Sequence, residues 1–219
     1  MEINCRFCKE KCIKNGFQSN GRQRYKCSIC KRKQQNSYLY NACKPNVNNQ
    51  IILFIKEGLG IRSTSRILKI STTTLLRRII IIGKTISRPI IKRDKIYEVD
   101  EMRTFIQRKS KLIWIVYALE RTSKNVISFC VGKRTNKTLH AVIKTLELSK
   151  AKKIYTDRLR NYKSLIPVGL HAVKPFGTNR IERNNLTLRT HLKRLNRRTI
   201  CFSRSLLVLN SVLKIYFLG

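Results

Sequence analysis

The sequence predicts an α+β, multi-domain chain, and three observations carry that reading. Two Cys-x2-Cys pairs lie in a turn-rich stretch over residues 1–43. Apolar residues recur at helical spacing over residues 47–86, and strand-like and helical patterns alternate over residues 96–219. Charge sets the partner class. The 219 residues hold 48 Lys and Arg against 11 Asp and Glu, a net +37 spread along the whole length, which fits a long track for a polyanion, with nucleic acid as the default. A hydrophobic content of 42% supports a packed core and excludes a disordered basic tail.

In residues 1–43, Cys5, Cys8, Cys27 and Cys30 form two knuckles with Gly16 and Gly21 in the turns between them. Tetrahedral Zn2+ takes four soft ligands, and a two-residue gap lets both thiolates of a knuckle reach one ion. A zinc ribbon is the expectation, with redox-active or unliganded cysteines as the alternative. Cys12 rivals Cys8, but its longer gap makes a poorer knuckle, and Cys43, Cys130 and Cys201 read as free thiols. A core this small would take its stability from the metal. Cysteines used in this way point to a reducing, cytoplasmic or nucleoid setting. No apolar run approaches ~18–20 residues and none resembles a signal peptide's core, so membrane insertion is not expected.

Residues 47–86 read as three helices, the first stopped by Gly58 and Gly60, the second over 61–68, and the third capped by Ser71. The last two suit a helix-turn-helix whose second member would present Thr72, Thr73, Thr74, Arg77 and Arg78 to DNA. A three-helix packing unit with a solvated basic face is the other reading. Residues 87–95 read as a linker.

From residue 96, strands are expected at 96–101, 112–119 and 125–131, then a helix at 137–148 and a strand at 153–156. A further strand near 170–173 and helices over 179–197 and 203–217 complete the order. If the first and fourth strands are neighbours, as in the ribonuclease-H-like arrangement, Asp100 and Asp157 fall at one edge of the sheet. Glu182 opens the next helix, whose face also carries Asn185, Arg189 and Lys193, groups able to follow a phosphate backbone. Carboxylates kept at strand ends in so basic a chain suit divalent cations working at phosphorus. Hard oxygen ligands favour Mg2+ or Mn2+. Asp100 is the natural bridge, flanked by Asp157 and Glu182, although Glu182 also reads as a first-turn charge facing the helix dipole. Strand alternation places Glu101 on the opposite face as a structural or supporting group, and sets Glu98 one pleat back. His171 near a strand end reads as a satisfied histidine before a proton carrier, His140 and His191 show no partner, and Trp114 reads as core.

The knuckle pair with Gln23-Arg24-Tyr25-Lys26-Cys27, the two-helix turn, Val99-Asp100-Glu101 and Thr156-Asp157-x4-Tyr162 occur in that order. Arg180-Ile181-Glu182-Arg183-Asn184-Asn185 comes next and runs on through Lys193 to Arg204. Together these motifs resemble the transposases of the insertion-sequence-one family, over nearly the whole chain and most densely at 180–205. The resemblance implies a DDE triad of Asp100, Asp157 and Glu182 on a ribonuclease-H-like domain, with Mg2+ as cofactor. It also implies that the zinc module and helix-turn-helix bind the terminal inverted repeats, and that 3′-hydroxyls are joined to target DNA by a homo-oligomer on double-stranded DNA. The family makes such DNA-binding modules separately as a repressor, which would set the join near 86–97. Arg158-Leu159-Arg160-Asn161 departs from the family, which has acidic or aromatic residues and a glycine there. A non-catalytic DNA-binding regulator, a decayed copy, and a nuclease or resolvase on the same fold are the competing readings.

Overall fold

The structure, a computed structural model, describes residues 3–219, so the first two residues of the expected 1–43 module lie outside the described residues. Contacts divide the chain into two compact units, one ending at Val47 and the other spanning Asn48–Gly219.

The first unit is a four-stranded antiparallel sheet of β1 (Ile3–Asn4), β2 (Lys11–Phe17), β3 (Gln23–Cys27) and β4 (Lys33–Gln35), in sequence order. Its two Cys-x2-Cys turns share one design. Each is followed by a lysine in the left-handed region, Lys9 at φ 67° and Lys31 at φ 58°. Each is also closed by a backbone bond from its first cysteine, Cys5 N–H to Glu10 at 2.7 Å and Cys27 N–H to Arg32 at 2.9 Å. Three of the buried apolar side chains here are cysteines, so the core is mostly sulfur.

Three helices follow, α1 (Val47–Lys56), whose first residue closes the first unit, α2 (Ile61–Leu68) and α3 (Thr72–Thr85). Ser71 caps α3 as expected, its Oγ accepting the Thr74 N–H at 3.1 Å. Lys69 ends α2 in the left-handed region at φ 51°, leaving a short turn before α3. All three helices belong to one packed body with the remainder of the second unit. A Cβ on Gly83 of α3 would lie 2.8 Å from Ser211 Cβ, and one on Gly58 would lie 2.5 Å from the His191 carbonyl.

The rest is a five-stranded sheet with helices on both faces. Its strands are β5 (Ile96–Ile106), β6 (Arg108–Glu120), β7 (Val126–Gly132), β8 (Lys153–Tyr155) and β9 (His171–Ala172), in spatial order β7-β6-β5-β8-β9. Thus the first and fourth strands of this sheet are neighbours, and they run parallel. Tyr97, Val99, Val116 and Ile154 pack under α4 (Asn136–Leu148) and Tyr162 of α5 (Arg160–Leu165). Met102, Ile115, Tyr117 and Leu119 pack under α6 (Asn179–His191) and α7 (Leu206–Leu218). Among the described residues, no helix is long and apolar enough to cross a membrane.

Four elements differ from the sequence expectation. β5 and β6 outrun 96–101 and 112–119, because Gln107 at φ 65° closes a tight hairpin that keeps the Lys- and Arg-rich stretch in register. α6 stops at His191 instead of 197, and Leu192 (ψ 92°) turns the chain into a short 3-10 turn over Lys193–Leu195. Arg189 holds that return, donating to the Leu195 carbonyl at 2.8 Å. α7 starts at Leu206 instead of 203, since Ser203 is bridged to Ile106 and Ser205 supplies the cap. Trp114 is only partly buried and lies under Arg134, 4.6 Å from guanidinium carbon to ring centre.

A methyl group has no room at Gly83. Gly83→Ala is expected to cost about 1–3 kcal/mol, a drop of roughly 2–12 °C in Tm read by thermal denaturation. An unchanged melt would show that α3 and α7 do not pack this closely.

Candidate functional site

In the first unit, the sulfurs of Cys5, Cys8, Cys27 and Cys30 all lie within 4.8 Å of one another. Cys5 and Cys30 are 3.5 Å apart, and Cys8 and Cys27 are 3.4 Å apart. Zn–S bonds of about 2.3 Å place tetrahedral sulfurs just under 4 Å apart, so the four residues fit that ion. Amides point at the sulfurs, from Phe7 to Cys5 at 3.5 Å and from Cys30 to Cys27 at 3.4 Å. The backbone N–H groups of Cys8 and Phe7 hold the Cys5 thiol down at about 6, close to the thiolate that a metal needs. Cys12 is buried beside this group, cross-strand from Cys27, and burial raises its pKa.

In the second unit, a buried carboxylate fixes the site. Glu98 of β5 is fully buried, accepts the Ile181 N–H at 2.9 Å, and pairs with Arg121 at 2.8 Å and Arg180 at 4.0 Å. It therefore ties the first turn of α6 to the sheet. Asp100, two residues along the same face, meets the next turn of that helix. Asn185 Nδ2 donates to Asp100 Oδ2 at 2.6 Å, while the Glu101 N–H donates to Oδ1 at 2.8 Å. Tyr117 donates to Asn185 Oδ1 at 2.9 Å and so fixes which end of the amide faces Asp100.

Register brings in the second aspartate. Glu98 of β5 lies beside Tyr155 of β8, so continuing two residues sets Asp157 beside Asp100. Asp157 is exposed, and its Oδ1 accepts the Leu159 N–H at 3.0 Å. Thr156 just before it is buried and bonded to His171 Nε2 at 2.7 Å, which makes His171 a satisfied strand-end histidine. His191 has a partner too, Tyr216, at 3.0 Å.

Carboxylate oxygens of Asp100, Glu101 and Asp157 all come within 4.8 Å of one another. Strand alternation alone gives Glu101 only a supporting role. Its side chain does leave the opposite face of β5, where it is 1% exposed and lies 3.6 Å from Arg134. Asp157, however, extends past the end of β8 and is reached from both faces. Burial, then the Asp157 charge, raise Glu101 to about 7 against the lowering effect of Arg134. Burial and the charges of Asp157 and Glu182 also raise Asp100, against the hydrogen bonds from Glu101 and Asn185. Glu182 lies outside the three-carboxylate group. It is exposed on the first turn of α6, accepting from Thr178 at 2.7 Å, and lines a shallow groove with Asn185, Arg189 and Arg197.

The span carrying all these carboxylates, residues 95–218, matches the family model described as IS1 transposase. The chain belongs to the IS1 transposase family. Residues 38–80 match a second model, described as InsA C-terminal domain. Similar proteins include the insertion element iso-IS1n protein InsB of Shigella dysenteriae, 38% identical over 110 residues, or 50% of this chain and 84% of that protein. The insertion element IS1 protein InsB of Shigella flexneri is 36% identical over 108 residues, 49% of this chain and 82% of that protein. Among solved structures, a chain of the simian T-cell lymphotropic virus intasome matches at 18% identity and a TM-score of 0.36 over 64% of this chain and 59% of its own. The HTLV-2 integrase catalytic core domain, solved with magnesium, matches at 15% identity and a TM-score of 0.35 over 58% and 86%. Likeness that slight carries no weight for activity.

The structure separates this IS1-family chain's expected DNA-contacting residues into two groups. Thr72, Thr73, Arg77 and Lys193 are exposed. Thr74 is bonded to Ser71, and Arg78 donates to Asn48 at 2.8 Å. Asn185 serves Asp100, and Arg189 donates to the Leu195 and Arg103 carbonyls at 2.8 and 3.4 Å.

A cysteine core has little apolar surface to hold it. One zinc per chain is the expected result of native mass spectrometry. Cys27→Ser should lose that ion and the first unit's amide protection from hydrogen exchange, while the second unit's protection is kept. Full protection without the ion would show that the metal is not structural.

Proposed function

We propose that this chain is a DNA transposase. In this reading it binds the inverted repeats at the ends of its element, cuts there, and joins the exposed 3′-hydroxyls to target DNA. The carrying observation is that Asp100, Glu101 and Asp157 bring carboxylate oxygens within one ion's reach in the span matched to the family. Three hard oxygen donors at that spacing fit Mg2+ or Mn2+. Bound there, such an ion supplies Lewis-acid polarisation of a phosphoryl oxygen and an oxygen nucleophile at neutral pH.

The chain's own groups do the positioning. Asn185 and the Glu101 N–H hold both oxygens of Asp100, and the Leu159 N–H orients Asp157. Arg134 partners Glu101, which joins the two aspartates in holding the ion. Glu182, fixed by Thr178 at the head of α6, is the third catalytic carboxylate. Residues 1–43 form the zinc ribbon and 47–86 the helix-turn-helix, with 87–95 as linker and 96–219 as the ribonuclease-H-like catalytic domain. Thr72, Thr73 and Arg77 face the inverted repeats, and a homo-oligomer brings two ends together. A net charge of +37 supplies the sequence-independent part of binding, so affinity falls with salt.

Asp100→Asn is expected to lower cleavage of inverted-repeat DNA by at least about a hundredfold while leaving end binding unchanged. Assays of cutting and joining beside gel-shift titrations check this, and normal cutting by the variant would remove Asp100 from the site. A second expectation concerns pH. The folded pKa of Glu101, about 7, lies above its unfolded value of 4.5, so the native state keeps a proton that the unfolded chain has lost. Its contribution to stability is full below 4.5 and is lost as pH rises through 7. A cation compensates only the ionised form, so Mg2+ should raise Tm more at pH 8 than at pH 6. An equal rise at both would contradict a role for Glu101 at the ion.

A further inference from the structure

The turn before α6 carries a residue that cutting and joining do not use. Gly177 N–H closes it on the Lys174 carbonyl at 3.0 Å, with Pro175 second and Phe176 third. Phe176 sits at φ 58°, the backbone region that glycine or asparagine takes at the third place of such a turn. Of the eight non-glycine residues with positive φ among the described residues, five are lysines, two are Asp94 and Gln107, and Phe176 alone is aromatic. A bulky side chain is sterically costly there. The cost is not recovered by packing, because Phe176 is 80% exposed.

The turn is nonetheless firmly seated. Gly177 is buried, and a Cβ on it would come within 3.0 Å of the Tyr155 ring and the Lys174 carbonyl. Phe176 therefore projects from a rigid base. The turn borders a cleft lined by Asp157, Arg158, Val173, Lys174 and Pro175, which brings the segment that carries Phe176 to an aspartate of the carboxylate site. Arg158 and Lys174 are both exposed cations.

An exposed aromatic ring on a seated turn, at the border of a cleft that holds Asp157 and two cations, has the features of a base-stacking platform. Every base offers a π-face, and cations along the same groove take the phosphates of the strand. A base leaving its duplex is captured by aromatic stacking in enzymes that act at an opened strand. We propose that Phe176 stacks on an unpaired base at the end of the DNA, holding the opened strand beside Asp157. This rests on the DNA-transposase reading, and names the nucleotide-binding element of that site.

The test uses the full-length protein without added Mg2+ and two DNAs of the same sequence, one blunt and one with a short single-stranded overhang carrying 5-iodouracil. Phe176→Gly removes the ring at a backbone position that suits glycine, so its Tm should equal or exceed that of the parent. Stacking on one base makes the overhang DNA bind roughly tenfold tighter than the blunt DNA. That preference should disappear in Phe176→Gly and persist in Phe176→Trp, with blunt binding unchanged in both. Irradiation should cross-link the overhang to residue 176 of the parent and of the tryptophan variant. An unchanged overhang preference in Phe176→Gly, or a cross-link elsewhere, overturns the platform while leaving the transposase reading standing. Loss of self-association in Phe176→Gly with DNA binding intact would make the ring a protein contact and overturns it too. Failure of the parent to bind either DNA would overturn the DNA reading and this proposal together.

Discussion

A single buried charge organises the second unit. Glu98 has no exposure to solvent, and an uncompensated carboxylate in such a place costs several kcal/mol. Its compensation comes from two directions, the Arg121 guanidinium after β6 and the Ile181 N–H in the first turn of α6. α6 must therefore start where it does, and helix and strand periods set the remainder. One turn past Ile181 is Asn185, and two residues past Glu98 on the same face is Asp100, so the amide meets the carboxylate. Tyr117, opposite Asp100 on β6, completes the arrangement by fixing that amide.

This geometry explains which parts are legible in the sequence. Asp100 and Asp157 can be found because both are acids on strand-like runs in a chain that otherwise favours cations, although β5 runs on past Asp100 to Ile106, and parallel pairing of β5 with β8 places them side by side. The cysteine knuckles are readable from spacing alone, and Ser71 from its place before an apolar period. Glu101 is not. Alternation correctly turns it to the other face, but no local pattern says that a neighbouring strand stops short enough for its aspartate to serve both faces.

Polar residues on helices mislead for a related reason. A stripe of Asn185, Arg189 and Lys193 reads as a solvent face able to follow phosphates. Packing instead sets Asn185 against Asp100 and Tyr117, and Arg189 against two backbone carbonyls. Residue type does not distinguish a polar group facing water from one satisfying a buried partner. The end of α6 is hidden in the same way. Neither glycine nor proline stops it; a guanidinium reaching ahead to Leu195 does. Exposed Arg197 and Arg198, just beyond the 3-10 turn, line one groove with Glu182.

In the proposed function, Asp100, Glu101 and Asp157 form one cation site in the DNA-free protein. Titration with Mn2+ followed by electron paramagnetic resonance tests it most directly, using the parent, Glu101→Gln and Glu182→Gln. The expected result is a loss of at least about tenfold in Mn2+ affinity for Glu101→Gln, with a smaller loss for Glu182→Gln. Parent-like affinity in Glu101→Gln, with the loss confined to Glu182→Gln, would contradict it.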